Sequence, residues 1–347
     1  SLSDDPEKQY LADGVMEDIL LQLAKIEDLR VMSSTSVQRY RNTDKTATEI
    51  CQELDVSYLL EGRFQKYGDH ARLIVQLIQT DIEGHAWAND YNREWTDIFT
   101  VQSEVAQAIA RELRAVITPE ENQRIRKIPT NNMAAYNLYL KGIQEHNDFW
   151  KTGALDHVDR SIGYFMDAID LDPEYSLAYT GLGRAYWMLG HFDPNRGPLH
   201  WKESKRLLKK AISLDPANGW AYSELGVVLS NWDWDSIAAI SASEKALELS
   251  PNRADVYEHY VILSARMGNC EKLASLVREI KNRFDPEVDF GMAYFNLRLL
   301  ACRGEFEQIT RIADMEWDRN RDLMQTIYIA NASTIIGNYE KALVMSE

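Results

Sequence analysis

Between residues 10 and 26 the apolar side chains Leu11, Val15, Ile19, Leu23 and Ile26 recur every three or four positions, the spacing of one helix face. Residues 29–32 form a short apolar run that reads as a strand, and residues 46–54 read as a second helix with Ile50 and Leu54 inward. The period then drops to two. Residues 58–64 predict a strand, Tyr67-Gly68-Asp69-His70 a turn, and residues 71–80 a partner strand. In that partner Leu73, Val75 and Leu77 alternate with Arg72, Ile74, Gln76 and Ile78, giving one apolar and one mixed face. Glu83-Gly84 makes the next turn and residues 85–92 the next strand; Asp97 then caps a long closing helix over 98–117. The order αβαβββα predicts a small α+β domain over residues 1–127, with helices packed on a mixed sheet.

After the linker at 127–130 the pattern becomes helical throughout and repeats. Asp172-Pro173, Asp215-Pro216, Ser250-Pro251 and Asp285-Pro286 stand 43, 35 and 35 residues apart. Each of the first two is followed by Ala-Tyr and then Leu-Gly at fixed offsets, Ala178-Tyr179 with Leu182-Gly183 and Ala221-Tyr222 with Leu225-Gly226; Tyr257 keeps the aromatic place after the third. A period near 34 with this content predicts stacked helical hairpins, none able to bury its apolar face alone. About six are expected over residues 128–347. The first opens at Ala135-Tyr136, the third runs through Trp232-Asp233-Trp234, and the fourth turns at Gly268-Asn269. The fifth is degenerate around Tyr294, Leu297 and Phe306, and the sixth, turning at Gly337, stops partway. The interval of 43 comes from His191-Phe192-Asp193-Pro194-Asn195-Arg196-Gly197-Pro198, where two prolines and a glycine interrupt the helix; this widened turn is the preferred place for specific contacts.

Composition narrows the chemistry. The net charge of −16 is shared evenly, with 15 basic and 23 acidic side chains in residues 1–127 and 23 and 31 in residues 128–347. Nucleic-acid binding calls for a concentrated basic stripe. Lys202, Lys205, Arg206, Lys209 and Lys210 are the nearest approach to one, and their spacing is that of a solvated helix face, so direct nucleic-acid binding is not expected. No run approaches the ~18 apolar residues of a membrane span. The seven histidines never fall at i, i+4 with a carboxylate partner, so no metal site and no cofactor are expected. Gly181-Leu182-Gly183 reads as close helix packing and not as a phosphate loop, and acidic Asp4, Asp5 and Asp13 as ordinary partners of a helix start. Cys270 and Cys302 sit at similar points of successive repeats and, with Cys51, are too few for a disulfide framework; they read as buried thiols. No nucleophile elbow or cysteine–histidine pair is present, so no enzyme is expected.

Ser3-Asp4-Asp5-Pro6, Tyr10-Leu11-Ala12-Asp13-Gly14, Leu60-Glu61-Gly62, Arg72-Leu73-Ile74-Val75-Gln76-Leu77 and Asp97-Ile98-Phe99-Thr100-Val101-Gln102 resemble the TolB-like (FlgO-like) amino-terminal domain. That domain precedes tetratricopeptide repeats in many bacterial signalling proteins and transcriptional regulators, and Trp232-Asp233-Trp234 is common in the repeats of that group. The resemblance implies a first apolar strand ahead of Ser3 that is missing here, and so a piece of a longer protein. It also implies an attached output domain (helix-turn-helix, cyclase or kinase), often with one membrane span. With such a span this region would be periplasmic, and otherwise cytoplasmic.

In tetratricopeptide arrays the concave wall is built from first helices. Carried onto this chain, that offset nominates Asn137, Lys141 and Gln144, then Thr180, Arg184 and Trp187, then Trp220, Ser223 and Asn231, and finally Glu258 and Arg266. Asn, Lys and Arg there suit a peptide backbone or terminal carboxylate. The expected function is a non-catalytic sensory module that binds a protein, peptide or small ligand. Binding would alter how the first repeat docks near residues 115–125. An assembly scaffold without signalling, an enzyme with an interdomain site, and homodimer formation stay open.

Overall fold

The first apolar stripe closes as α1 (Gln9–Leu23), burying Leu11, Ala12, Val15, Ile19 and Leu23. This computed structural model describes residues 9–32, 37, 40, 43–79, 85–193, 197–283, 298–305 and 308. They gather into two compact units, Ser1–Arg253 and Ala254–Glu347.

In the first unit α2 (Ala47–Glu53) starts at a capping box. The Glu49 amide donates to Thr46 Oγ1 and the Thr46 amide to Glu49 Oε2, so two orphan donors are satisfied reciprocally. Strands β1 (Tyr58–Tyr67), β2 (His70–Gln79) and β3 (His85–Glu94) follow as a three-stranded antiparallel meander. Gly68 takes the left-handed φ of 58° that the two-residue β1–β2 turn requires. Leu73, Val75 and Leu77 turn inward as their alternation predicts, packing with Phe64 and Tyr91. The opposite face is tied by Arg72, whose guanidinium donates to both oxygens of Asp90 across the β2–β3 pair.

Two expectations change here. Residues 29–32 form no strand: Leu29 and Val31 pack against the core without a ladder partner among the described residues, and the described sheet is antiparallel, not mixed. The closing helix is also two helices. α3 (Ile98–Glu112) ends before Arg114, which has a φ of 56°, and Thr118 opens α4 (Pro119–Arg126) with a second capping box to Glu121 and proline at its first position. The signature Thr-Pro-Glu-Glu was present at 118–121 and outweighs the continuous apolar spacing.

The hairpins follow in order. α5 (Met133–Thr152) pairs with α6 (Leu155–Leu171), α7 (Ser176–Phe192) with α8 (Gly197–Leu214), and α9 (Gly219–Val228) with α10 (Ser236–Leu249). A π-type turn, Leu229–Asp233, follows α9. Asn132 caps α5, accepting from Ala134 and Ala135, and Gly153 ends it with a φ of 70°. Gly142 and Gly181 flank the buried Phe165 ring so closely that a Cβ on either would lie 2.5–2.6 Å from it. Glycine is therefore what lets α5 and α7 close on α6, as expected for Gly181 from its place within a helix.

The periodic turns have a second use. Asp172 accepts the Glu174 amide within its own turn and Thr130 Oγ1 at 2.5 Å from the linker. Asp215 accepts the Ala217 amide and Lys127 Nζ at 2.6 Å. In the third turn Asn252 donates from its side chain to the Ile26 carbonyl and from its backbone to the Ala24 carbonyl, just past α1. Three successive turns thus hold residues 24–26 and the linker, and one continuous core runs from the sheet into the hairpins.

The second unit holds α11 (Ala254–Arg266) and α12 (Cys270–Arg283), turning at Gly268 with φ 66°. Tyr257 donates to Glu279 at 2.7 Å across this pair, over buried Leu273, Leu276, Val277 and Ile280. Cys270 and Cys302 are not free thiols: they form a disulfide, with Cα atoms 5.6 Å apart. One lies at the start of α12 and the other at the end of the helical residues 298–302. Cys51 is free and buried. Pro194 and Arg196 of the widened turn, Tyr294, Leu297 and Phe306 of the fifth hairpin, and the sixth hairpin lie outside the described residues.

Candidate functional site

The first helices of successive hairpins are joined by polar side chains. Asn218 caps α9 through the Ala221 amide while its Nδ2 donates to Ser176 Oγ and Thr180 Oγ1 on α7, at 2.8 and 2.9 Å. Thr180 also donates to the Ser176 carbonyl. One turn further along α7, Arg184 Nη1 bonds Glu224 Oε1 of α9 at 2.9 Å. Trp220 Nε1 donates to the same oxygen at 3.0 Å, and the Arg253 guanidinium lies 5.5 Å from the Trp220 ring. Glu224 is 2% exposed against 22% for Arg184, so a buried carboxylate is neutralised by a cation that still reaches solvent. A charged guanidinium with unused donors is the group best suited to take a ligand carboxylate or carbonyl.

On α5, His146 is buried beside Phe165, ring centroids 5.2 Å apart, and its Nε2 has no hydrogen-bond partner among the described residues. Burial, and then the Arg184 charge, hold its pKa down to about 3, so the ring is neutral. Asn137 Oδ1 on α5 and Trp187 Nε1 on α7 are likewise buried without hydrogen-bond partners among the described residues.

The nominated residues separate into groups. Arg184 and Trp220 meet through Glu224. Thr180, Trp220 and Ser223 lie in the interior, because α7 and α9 approach closely enough to cover them. Gln144 is exposed, while Lys141 lies over the rings of Tyr10 and Tyr164, toward α1 and α6. Asn231 falls in the π-type turn. Glu258 and Arg266 belong to α11 in the second unit, and the Arg266 side chain lies outside the description. Glu224 and Arg253 were not nominated, although Glu224 stands four residues after Trp220 on one helix face.

Elsewhere a hollow of about 380 Å³ between β3 and α3 is lined by Trp87, Tyr91, Arg93, Glu104 and Arg111. Where α1, α3 and α5 meet, Asp18 accepts Tyr136 Oη at 2.5 Å and Gln102 Nε2 at 3.2 Å. Burial pushes the Asp18 pKa up to about 6 against those two hydrogen bonds. Among the described residues no group of three histidine, cysteine, aspartate or glutamate side chains is placed to hold a metal ion, and no helix is long and apolar enough to cross a membrane.

The described residues are thus mostly helical, arranged as helical hairpins, with a small three-stranded antiparallel sheet in the first unit. No family model matches it. Over 182 residues it is 31% identical to a putative adenylate cyclase 3 of Rhizobium meliloti, an alignment spanning 52% of this chain and 30% of that protein. Among solved structures it is similar to a tetratricopeptide repeat protein of Parabacteroides merdae, with TM-score 0.45, 12% identity, and coverage of 72% of this chain and 90% of the other. A thermophilic tetratricopeptide repeat protein of Thermus thermophilus gives TM-score 0.37 at 18% identity over 58% of this chain and 91% of its own.

Proposed function

We propose that this chain is a non-catalytic interaction module of a bacterial signalling protein, binding an extended protein segment along the first helices of its hairpins and reporting it to an attached output domain. The observation that carries the reading is the Arg184–Glu224–Trp220–Arg253 network, which presents a partly exposed guanidinium over a neutralised, buried carboxylate. The signalling half rests on the Rhizobium relative, of which the chain spans only 30%, and on the resemblance of residues 1–127 to the TolB-like domain. Transmission would pass through the Tyr136–Asp18–Gln102 contact, where the first hairpin meets α1 and α3.

Panning a random-peptide library against the full chain tests the binding half. Enriched peptides sharing a carboxylate, with affinity reduced about tenfold in Arg184→Gln, support it; one lost charged hydrogen bond of ~1.5 kcal/mol gives that factor. No enrichment, or equal affinity for a variant whose melting curve matches the parent, refutes it.

A further inference from the structure

The hollow between β3 and α3 belongs to the sheet of the first unit and shares no residue with the first-helix wall. Two stripes of side chains make its sides. Trp87, Asn89, Tyr91 and Arg93 are alternate residues of β3 and so project to one face of the sheet. Glu104, Gln107 and Arg111 stand at i, i+3 and i+7 on α3, one helix face about 10 Å long. Tyr91 is buried and Trp87 half-buried, while Arg93, Glu104 and Arg111 are exposed. The volume of about 380 Å³ falls within the roughly 300–1,000 Å³ of small-molecule sites.

The charges around this hollow are held apart. Arg93 donates to the Asn92 carbonyl at 3.1 Å and Arg111 to the Gln107 carbonyl at 3.3 Å, and neither pairs with a carboxylate among the described residues. The Glu104 carboxylate has no ion pair or hydrogen bond among the described residues either. Asp90, the other carboxylate on the lining, is taken on both oxygens by Arg72. Tyr91 locates the three remaining charges. Burial pushes its phenol up and a hydrogen bond with Asn89 opposes; Glu104, Arg111 and Arg93 then all act on it, so they surround one hydroxyl. Arg126 Nη2 donates to Gln107 Oε1 at 3.1 Å, which leaves the Gln107 Nε2 donors for another acceptor.

Opposite charges that share a hollow without meeting are complementary to a molecule that carries both signs. Guanidinium groups suit a carboxylate, and Glu104 suits an ammonium. A simple anion would face Glu104, and a simple cation would face two guanidiniums, so each is opposed where a zwitterion is not. The Trp87 and Tyr91 rings supply apolar flanks. We propose that this hollow binds a free α-amino acid with an apolar side chain. Its carboxylate lies on Arg93 and Arg111, its ammonium on Glu104 and its side chain against Trp87. The chain then has a small-molecule input on its sheet in addition to the first-helix wall.

Isothermal titration calorimetry of L-phenylalanine and L-leucine into the full chain tests this. Phenylalaninamide lacks the carboxylate and N-acetyl-phenylalanine lacks the ammonium, and each is expected to bind at least about tenfold more weakly than phenylalanine. Arg111→Gln and Glu104→Gln alter exposed residues, so their melting curves should match the parent, and each should weaken phenylalanine about tenfold. The two variants differ in a way that a structural role would not produce. Glu104→Gln should leave N-acetyl-phenylalanine equal or tighter, and Arg111→Gln should do the same for the amide. Absence of binding by both amino acids up to about 10 mM overturns the proposal. Equal binding of N-acetyl-phenylalanine, the mark of a plain anion site, overturns it, as does equal binding of the amide. Phenylalanine affinity that survives both substitutions in folded protein overturns it as well.

Discussion

Asp18 gives the sharpest energetic prediction. Its carboxyl has an ordinary pKa of 3.8 and is pushed to about 6, chiefly by burial among α1, α3 and α5. Tyr136 and Gln102 donate to it and Lys25 favours its charge, while Glu17 opposes it. The folded chain thus holds this proton more tightly than the unfolded chain. The resulting stability is fully present below about pH 3.8 and is lost as pH rises through about 6. The gap corresponds to roughly 3 kcal/mol at most, and part of the residue reaches the surface, so about 2–3 kcal/mol is expected. Asp18→Asn keeps a carbonyl to accept Tyr136 Oη and removes the charge. Urea unfolding of both proteins at several pH values isolates the effect, because a constant packing penalty cancels in the pH dependence of their difference. The variant should gain about 2–3 kcal/mol on the parent between pH 4 and pH 7.5. A flat difference, or one favouring the parent as pH rises, refutes the assignment of burial as the dominant cause.

Three further outcomes follow from particular contacts. Asn252→Ala removes the side-chain bond to the Ile26 carbonyl and should cost about 1–3 kcal/mol, with earlier protease cleavage near residues 24–30. Trp234→Gly relieves a left-handed tryptophan and should leave stability equal or raised by about 0.5–1 kcal/mol by thermal melting. Peptide mapping without reductant should recover Cys270 linked to Cys302, and Cys270→Ser should destabilise the second unit by about 3–4 kcal/mol for a closed loop of this size.

The periodic features were legible because each has a local cause. The Asp172-Pro173 and Asp215-Pro216 turns and the alternation in β2 depend on neighbours a few residues away, and the structure puts each to that use. What escaped was set by distant partners. The run at 29–32 has strand-like residues, yet a strand exists only where another strand pairs with it. The continuous helical spacing over 98–117 masked a break whose signal, Thr118-Pro119 with Glu121, lay just past it. Two cysteines 32 residues apart carry no local mark of pairing, because only the folded chain brings their Cα atoms to 5.6 Å. On the first-helix wall a fixed offset ignored how closely α7 and α9 approach, so Thr180, Trp220 and Ser223 are covered while Glu224 organises the site. The docking role of Asp172, Asp215 and Asn252 was equally hidden, since their partners lie 42, 88 and 226 residues away.

Hydrogen-exchange mass spectrometry of the full chain, with and without a peptide selected on it, tests the central claim most directly. The account predicts new protection confined to the first helices α5, α7 and α9, around Gln144, Arg184 and Glu224, with a smaller change at α1 near Asp18. Protection only on the second helices α6, α8 and α10 or on the sheet, with the first helices unchanged at saturation, would contradict it.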